Sequence, residues 1–455
     1  MRPVPEESLE TSTRPVPDRR LFGTDGIRGV ANVDLDVSLV LDLARAAGEL
    51  IGGGAVVVGR DTRRSGDMLA AGLQAGFHSV GVDTLDAGVV PVGGVSALIP
   101  ELGASLGVMV SASHNPAPDN GVKFFDDAGG KLDDAREARI EARLRRGGPW
   151  KSPTGAGIGK RVSLGDSVDR YLAAIRRDAR GSLSGLRLAV DCANGAASRA
   201  APELFSSLGA DVVAHFASPD GMNINDGCGA TEPRHLAAVA GGRIGLSFDG
   251  DADRLMVIDE DGRVANGDVI LAVIARHLKD RGELSNNLVV TTVMSNLGFR
   301  KAMGEAGIDL IETKVGDRYV MEEMLRHGAI LGGEQSGHVI QLDRARTGDG
   351  LRTALRMLEV VVATGCPVSE LRREALVEFP QVLENVPVRS KDLEAADRVW
   401  EAVRAVERDL GGDGRVLVRA SGTEPVVRVM AEAPDMATAR SVVRHLVGVV
   451  ADQLG

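Results

Sequence analysis

Four short segments bring together residue types that could do chemistry. "MVSASHNPAPDNGVKFF" (109–125) ends an apolar run in Ser111, Ser113, His114, Asn115 and Pro116, with a lone Lys123 further on. Either this is an ordinary turn, rich in turn-forming residues, or it is a loop that holds a reactive serine. "LSFDGDADRLMVID" (246–259) sets Asp249, Asp251 and Asp253 between two apolar runs. Alternate residues of an extended segment share a face, so the spacing points three carboxylates at one spot. Two unit charges about 4 Å apart repel by roughly 4 kcal/mol at an effective dielectric near 20. That repulsion calls for a cation, and oxygen-only ligands select a hard one such as Mg²⁺. "GGEQSGH" (332–338) places Glu334, Ser336 and His338 at alternate positions, a set able to hydrogen-bond neighbouring hydroxyls of a sugar. "RASGTEPVVR" (419–428) encloses Ser421, Gly422 and Thr423 between Arg419 and Arg428. Hydroxyls and turning amides make an anion nest there, and the guanidiniums add charge and paired donors. Each of the last two segments, taken alone, also reads as a plain turn.

The acidic segment has rivals. It nearly fits a Ca²⁺ loop, with Glu260 at the twelfth position, but Arg254 stands where glycine is required and strands flank it. A phosphohydrolase would use Asp249 as its nucleophile. Asp253 then stands where such a motif has Thr or Val, and the segment lies near the end of a unit. A solvated acidic turn is the remaining alternative. "GAGIGKRV" (155–162) is not a nucleotide-binding loop, because Arg161 follows Lys160 where Ser or Thr is needed.

These loops need strands and helices to position them. "AVVVGRDTRRSG" reads as a strand, a turn and a helix start at Ser65; "SLGVMVSAS" as a buried strand; "DDAREARIEARLRR" as an amphipathic helix. Strands alternating with helices imply a parallel sheet. The Gly/Pro/Ser-rich stretch 147–160 reads as a connection between domains. The pattern repeats in "GLRLAVDCANGA", "ADVVAHF", a helix near 232–240 and "RIGLSFDGD", and again from Gly267 onward. After "FPQ" (379–381) come a strand, a long helix over 391–410, two further strands and a last helix, whose Val443, Leu446, Val450 and Leu454 form one apolar face. The expected fold class is α/β: three consecutive α/β domains with mixed or parallel sheets, plus a C-terminal α+β domain, around a central cleft. The expected boundaries are a disordered extension at 1–20 and domains at 21–160, 161–265, 266–376 and 377–455.

Bulk properties narrow the function. The chain has 455 residues, enough for about three domains. Its 53 Lys+Arg against 64 Asp+Glu give a formal charge of −11, unsuited to nucleic-acid phosphates. Three cysteines (Cys192, Cys228, Cys366) cannot all pair and lack metal-ligand spacing, so reduced thiols and a cytoplasmic location are expected. No apolar run suits a membrane span, and the polar, Pro-rich first twenty residues are no secretory signal.

Taken together, "SASHNP", "DGDADR", "GEQSGH" and "RASGTEP", in that order and one per domain, resemble the phosphoserine, metal, sugar and phosphate loops of the α-D-phosphohexomutase family. The likeness runs from about residue 21 to the C-terminus. "FGTDGIRG", "VDCANGA", "KVGDRYV" and "TGDG" look most like its bacterial branch acting on glucosamine phosphates. Ala252 stands where many relatives have Gly, which alters the loop without removing a ligand.

The resemblance implies an isomerase interconverting glucosamine 6-phosphate and glucosamine 1-phosphate, for amino-sugar nucleotides and cell-wall precursors. Ser113 would carry a phosphoryl group and hand it to the sugar, giving a 1,6-bisphosphate, then take the other phosphate back. One Mg²⁺ per chain would sit on Asp249, Asp251, Asp253 and phospho-Ser113, with Arg254 adding positive charge. A hexosamine or hexose 1,6-bisphosphate would serve as activator. Lys123, Arg28 and His338 are the candidate general bases, and Lys or Arg needs a shifted pKa for that role. Ser111 and His114 would hold the loop in shape, with His114 a further candidate base. Glu334 and Ser336 would read sugar hydroxyls, Arg419 to Arg428 would take the distal phosphate, and the last domain would close on substrate. The implied partners are a sugar phosphate and a second copy of the chain. Phosphoglucomutase or phosphomannomutase chemistry, an Asp249-dependent phosphohydrolase and a non-catalytic sugar-phosphate sensor stay open as alternatives.

Overall fold

The computed structural model describes residues 20–421 and 425–455; the expected disorder of the first 19 residues, and Gly422 and Thr423, lie outside them. Four sheets follow one another along the chain. The first is mixed and six-stranded, in the order Ile27–Val30, Asp119–Phe125, Leu106–Val110, Ala55–Arg60, Asp83–Val89, Arg161–Ser163. Its centre pairs in parallel, while Asp119–Phe125 runs antiparallel to both neighbours. The second sheet has five strands within 187–265, the third four within 288–341, and the last three within 381–432, all antiparallel.

Local signals explain these elements. The Val-rich strand Ala55–Arg60 is buried along its middle, as a strand covered on both faces should be. The helix before it, Val37–Ile51, begins at Asp36, whose carboxylate accepts from Leu39 N at 2.8 Å, and ends at Gly52 in the left-handed region. In the C-terminal unit Val443, Leu446, Val450 and Leu454 are all buried, as their spacing predicts.

One apolar cluster joins the first three units, running from Val57 and Met109 through Leu188 and Phe248 to Leu331 and Leu355, while the first unit holds a second large cluster between Phe22 and Leu144. The fourth unit has its own, built from Val386 to Leu454. Two expected bounds shift. Strand Arg161–Ser163 pairs in parallel with Asp83–Val89 and completes the first sheet, so the second sheet begins only at Arg187. The helix expected over 391–410 runs only over Asp397–Leu410. Before it, the Asp392 carboxylate accepts from Glu394 N and Ala395 N, a local bond that competes with helix. Arg20, placed in the extension, pairs with Asp134 and Glu137 on helix Asp134–Arg146. Among the described residues no helix is long and apolar enough to cross a membrane.

Candidate active site

Ser113 follows strand Leu106–Val110 and lies in the left-handed region, at φ 53°. A serine held there costs strain that its surroundings must offset. They do so with Ser111 and with two side chains that sequence reasoning passed over, Arg63 and Asn225. Arg63, 1% exposed, donates from Nη2 to Ser113 O at 3.0 Å and Asn115 O at 2.7 Å, while its Nε pairs with Asp61 at 2.9 Å. From the second unit, Asn225 Nδ2 donates to the same two carbonyls at 2.9 and 3.0 Å. Ser111 Oγ donates to Asp61 Oδ2 at 2.7 Å and accepts from Ser113 N at 2.8 Å. Ser111 therefore shapes the loop, as expected. Arg63 stands in the quoted "RDTRRSG", but its partners lie about fifty residues away in the chain, so spacing carried no signal.

The acidic loop faces this serine. Asp249, Asp251 and Asp253 are buried, and their ligand atoms lie within 4.8 Å of one another. The expectation of convergence holds, but its route differs. The segment is a turn, not an extended run, with Ala252 at φ 60°. Gly250 is needed there, because a Cβ would meet Ser113 O at 2.5 Å. Ser113 Oγ donates to Asp249 Oδ2 at 2.6 Å. Burial, then Asp253 and Asp251, push the Asp249 carboxyl up to about 8. Asp251 Oδ1 and Asp253 Oδ1 are buried without a hydrogen-bond partner. Buried acceptors without donors and mutual repulsion both fit a hard divalent cation.

Cations surround the loop. Lys123, 1% exposed, lies 2.9 Å from Asp251, 3.0 Å from Asp25 and 3.4 Å from Asp253. Burial alone would lower its pKa, but Asp25, Asp251 and Asp253 outweigh burial and hold it well above the usual lysine range. Arg28 pairs with Asp25, donates to Asn115 Oδ1 at 3.3 Å, and is raised by Asp25 and Asp251 against burial. Arg254 donates its backbone N–H to Asp249 Oδ1 at 3.1 Å, and its guanidinium lies 3.8 Å from Asp253. His338 sits 3.5 Å from Asp253 and 3.4 Å from Asp317. Burial would lower it, yet the two carboxylates bring it up to about 9. Lys123, Arg28 and His338 are thus cations at neutral pH in this arrangement. His114 is the contrast. Its Nδ1 lies 3.4 Å from Ser113 Oγ, and burial, then Arg254 and Arg28, push it down to about 4.

The sugar loop docks against the acidic one. Leu255 N donates to Gly337 O at 3.1 Å, and Arg254 bridges to His338. Glu334 Oε1 accepts from Gly316 N at 3.0 Å, and Ser336 Oγ lies 3.5 Å from Oε2. The His338 ring packs so closely on Gly348 that a Cβ there would sit 2.3 Å from Nε2. Asp25, Lys131 and Asp317 complete this charge network, and none was singled out beforehand, although Asp25 and Asp317 lie in the quoted "FGTDGIRG" and "KVGDRYV".

On the fourth unit Arg419 and Arg428 sit directly opposite each other on paired strands. Like charges so placed repel, and burial, then Arg428, lower the Arg419 pKa. An anion between them relieves both. Lys391, expected in a helix, donates instead to Ser421 O at 2.9 Å and adds a third cation at this loop. The structure thus gathers Ser113, the three aspartates, Lys123, Arg28, Arg254 and His338 into one cluster, with Glu334 and Ser336 on its edge. Arg419, Ser421 and Arg428 form a separate loop on the fourth unit.

Comparisons with known proteins agree with this division. Four domains of the phosphoglucomutase/phosphomannomutase family match in order: α/β/α domain I at residues 19–149, domain II at 169–262, domain III at 266–379 and the C-terminal domain at 383–448. A phosphoglucosamine mutase from Pelotomaculum thermopropionicum is 50% identical over 94% of this chain and 98% of its own. The crystal structure of a phosphoglucomutase/phosphomannomutase family protein from Burkholderia thailandensis superposes with a TM-score of 0.80 at 27% identity, covering 95% of this chain and 97% of that one. An Aspergillus fumigatus N-acetylphosphoglucosamine mutase, solved with GlcNAc-6P and magnesium, shares the fold at a TM-score of 0.70 and 18% identity over 96% of each chain.

Proposed function

The chain belongs to the phosphoglucomutase/phosphomannomutase family, the α-D-phosphohexomutases, and from that premise we propose that it interconverts glucosamine 6-phosphate and glucosamine 1-phosphate through a phosphoryl group carried on Ser113. The observation that carries this reading is the Ser113 hydroxyl, held in a strained backbone 2.6 Å from the first of three converging carboxylates. A phosphoserine at this position would bring about −1.5 to −2 charge, which the site must offset.

Asp249, Asp251 and Asp253 would hold one Mg²⁺ with an oxygen of phospho-Ser113. A divalent cation there supplies Lewis-acid polarisation of the transferring phosphoryl group. In the first half-reaction the bond from Ser113 Oγ to phosphorus breaks, and one forms from the free sugar hydroxyl to phosphorus. Arg254 and Arg28 would steady the moving charge. The hydroxyl proton needs an acceptor, and the departing Ser113 oxygen takes up one proton in its place. Lys123 is kept protonated by Asp25 and by Asp251 and Asp253, and a cation would neutralise the last two, so its proton affinity falls when the site is loaded. The 1,6-bisphosphate would then turn over and return its other phosphate to Ser113. Glu334 and Ser336 would hold sugar hydroxyls in both orientations, and Arg419, Ser421, Gly422, Thr423 and Arg428 the phosphate not being transferred. A 1,6-bisphosphate would recharge Ser113, and a homodimer belongs to the same reading.

The test is the intact mass of purified protein, with peptide mapping over 109–125, before and after incubation with glucose 1,6-bisphosphate. One phosphate on Ser113, exchangeable with the sugar and absent in S113A, is expected, together with faster turnover of glucosamine 1-phosphate than of glucose 1-phosphate. Ser113 that never gains phosphate in folded protein would falsify the mutase reading. Equal or faster turnover of glucose 1-phosphate would move the substrate assignment.

A further inference from the structure

Six side chains from three units close a ring beside Ser113 in which carboxylates alternate with Lys and His nitrogens. Lys123 lies 3.0 Å from Asp25 and 3.4 Å from Asp253. Asp253 lies 3.5 Å from His338 Nδ1, and Asp317 lies 3.4 Å from Nε2. Lys131 then pairs with both Asp317 and Asp25 and completes the circuit. The carboxylates are those of Asp25, Asp253 and Asp317, and each is flanked by two of the nitrogen-bearing side chains.

Lys131 touches neither the metal triad nor the sugar loop. It stands on the turn after strand Asp119–Phe125, where it bridges back to Phe125. That turn is fixed by Asp126, whose Oδ1 accepts from Ala128 N and Gly130 N. The Lys131 side chain is 15% exposed, and its two partners are 23% and 11% exposed. On the far side, Asp317 opens helix Asp317–His327. The residue before it, Gly316, donates its N–H to Glu334, and the residue after it, Arg318, binds Glu137 of the first unit at 2.6 Å. Three consecutive residues thus reach the sugar loop, the Lys131 ammonium and a helix of the first unit.

We propose that Lys131 is a positioning residue for phosphoryl transfer: through Asp317 it holds Glu334 and His338 of the third unit in register with Ser113 of the first. Without its ammonium, Asp25 and Asp317 face one another as largely buried carboxylates across the boundary between units, and both repulsion and lost solvation drive them apart. The start of helix Asp317–His327 would move with Asp317, and it carries the Gly316 amide that orients Glu334. This inference rests on the mutase reading. It explains why "GDR" stands where it does in "KVGDRYV", a segment to which the reaction itself assigns no step.

The experiment compares K131M, K131R, D317N and K131M/D317N with the parent protein. K131M is expected to lower kcat for glucosamine 1-phosphate by about 10- to 100-fold, the size of effect produced by a displacement near 1 Å. KM should change less than about threefold, because the register matters most in the transition state. The double variant should be about as slow as either single one, since both break one strut, and K131R should recover most of the rate. Amide hydrogen exchange over 316–318 and 333–338 should quicken in K131M while exchange in the fourth unit, which has its own core, stays close to that of the parent. A kcat within twofold of the parent, multiplicative effects in the double variant, or a change in KM alone would overturn the proposal. A parent protein without isomerase activity would instead overturn the mutase reading. The exchange measurement, which needs no substrate, then decides alone: unchanged exchange over 333–338 rejects Lys131 as a positioning residue. Should K131M fail to fold, D317N carries the same test.

Discussion

At the scale of single residues the site is a problem in charge storage. Asp249, Asp251 and Asp253 crowd together in a buried turn, and the Lys123 ammonium shares itself among Asp25, Asp251 and Asp253. Removing one partner of a buried ion pair costs about 3–5 kcal/mol, because the other charge stays behind without compensation. K123M should therefore lose about 3–5 kcal/mol of unfolding free energy in the presence of EDTA. Millimolar Mg²⁺ should recover more of the loss in K123M than it adds to the parent, since a cation on the triad takes over part of what the ammonium does. Urea titrations of both proteins, with EDTA and with Mg²⁺, measure this. An equal response to Mg²⁺ would show that Lys123 and the metal do not share a load. The triad was legible in the sequence because its ligands are spaced within five residues of one another, and charge repulsion between neighbours needs no fold to be inferred. Arg63, Asn225 and Lys131 were not, because each acts on a partner far away in the chain. An arginine in a turn and a lysine after a strand look the same whether they face solvent or a buried carbonyl.

At the scale of elements, helices from different units are tied end to side. Tyr171, fully buried on helix Ser167–Asp178, donates to Asp349 Oδ1 at 2.8 Å. Asp349 is the N-cap of helix Gly350–Thr364 and accepts from Arg352 N at 3.1 Å. Burial, then Asp349, raise the Tyr171 phenol well above its ordinary range, so it remains a donor. A hydrogen bond to a charged group contributes about 1.5–3 kcal/mol, and Y171F should cost that much in chemical denaturation while leaving the proposed phosphorylation of Ser113 unchanged. A loss below about 0.5 kcal/mol would mean that the cap holds the helix without its cross-unit partner. Elements with strong periodicity or clean caps were readable in advance, among them Asp134–Arg146 and the apolar face of the last helix. The start of helix Asp397–Leu410 was not, because the Asp392 side chain diverts the backbone locally. The extra strand Arg161–Ser163 was hidden for another reason. It is short and exposed, and only its pairing with Asp83–Val89 makes it a strand.

At the scale of the whole molecule, the fourth unit keeps its own core and rests on the third through a polar seat. Arg415 donates to Val293 O at 2.9 Å and pairs with Glu432 at 2.7 Å, and Glu432 accepts from Leu297 N at 2.8 Å. Asn296, between these contacts, clasps Phe379 through both its N–H and its carbonyl, each at 2.9 Å. Beneath the seat lies Asp268, fully buried, accepting from Asn296 N at 2.8 Å. Burial, followed by the nearby Glu432 and Glu378, pushes its carboxyl up to about 7. An unfolded aspartate titrates near 3.9. Between those values the folded chain holds a proton that the unfolded chain has released. The contribution of Asp268 to stability is therefore greatest at low pH, declines as pH rises through that window and is lost above about 7. Two pH units of that slope amount to about 2.7 kcal/mol. D268N, which keeps an acceptor for Asn296 but cannot ionise, should shrink the difference in unfolding free energy between pH 5 and pH 8 by about 2–3 kcal/mol. It should also favour the seated fourth unit at the higher pH, where the parent carries a buried charge beneath it. Parallel pH profiles for the parent and D268N would mean that Asp268 is ionised throughout, and that the joint gets its polarity from Arg415 and Glu432 alone.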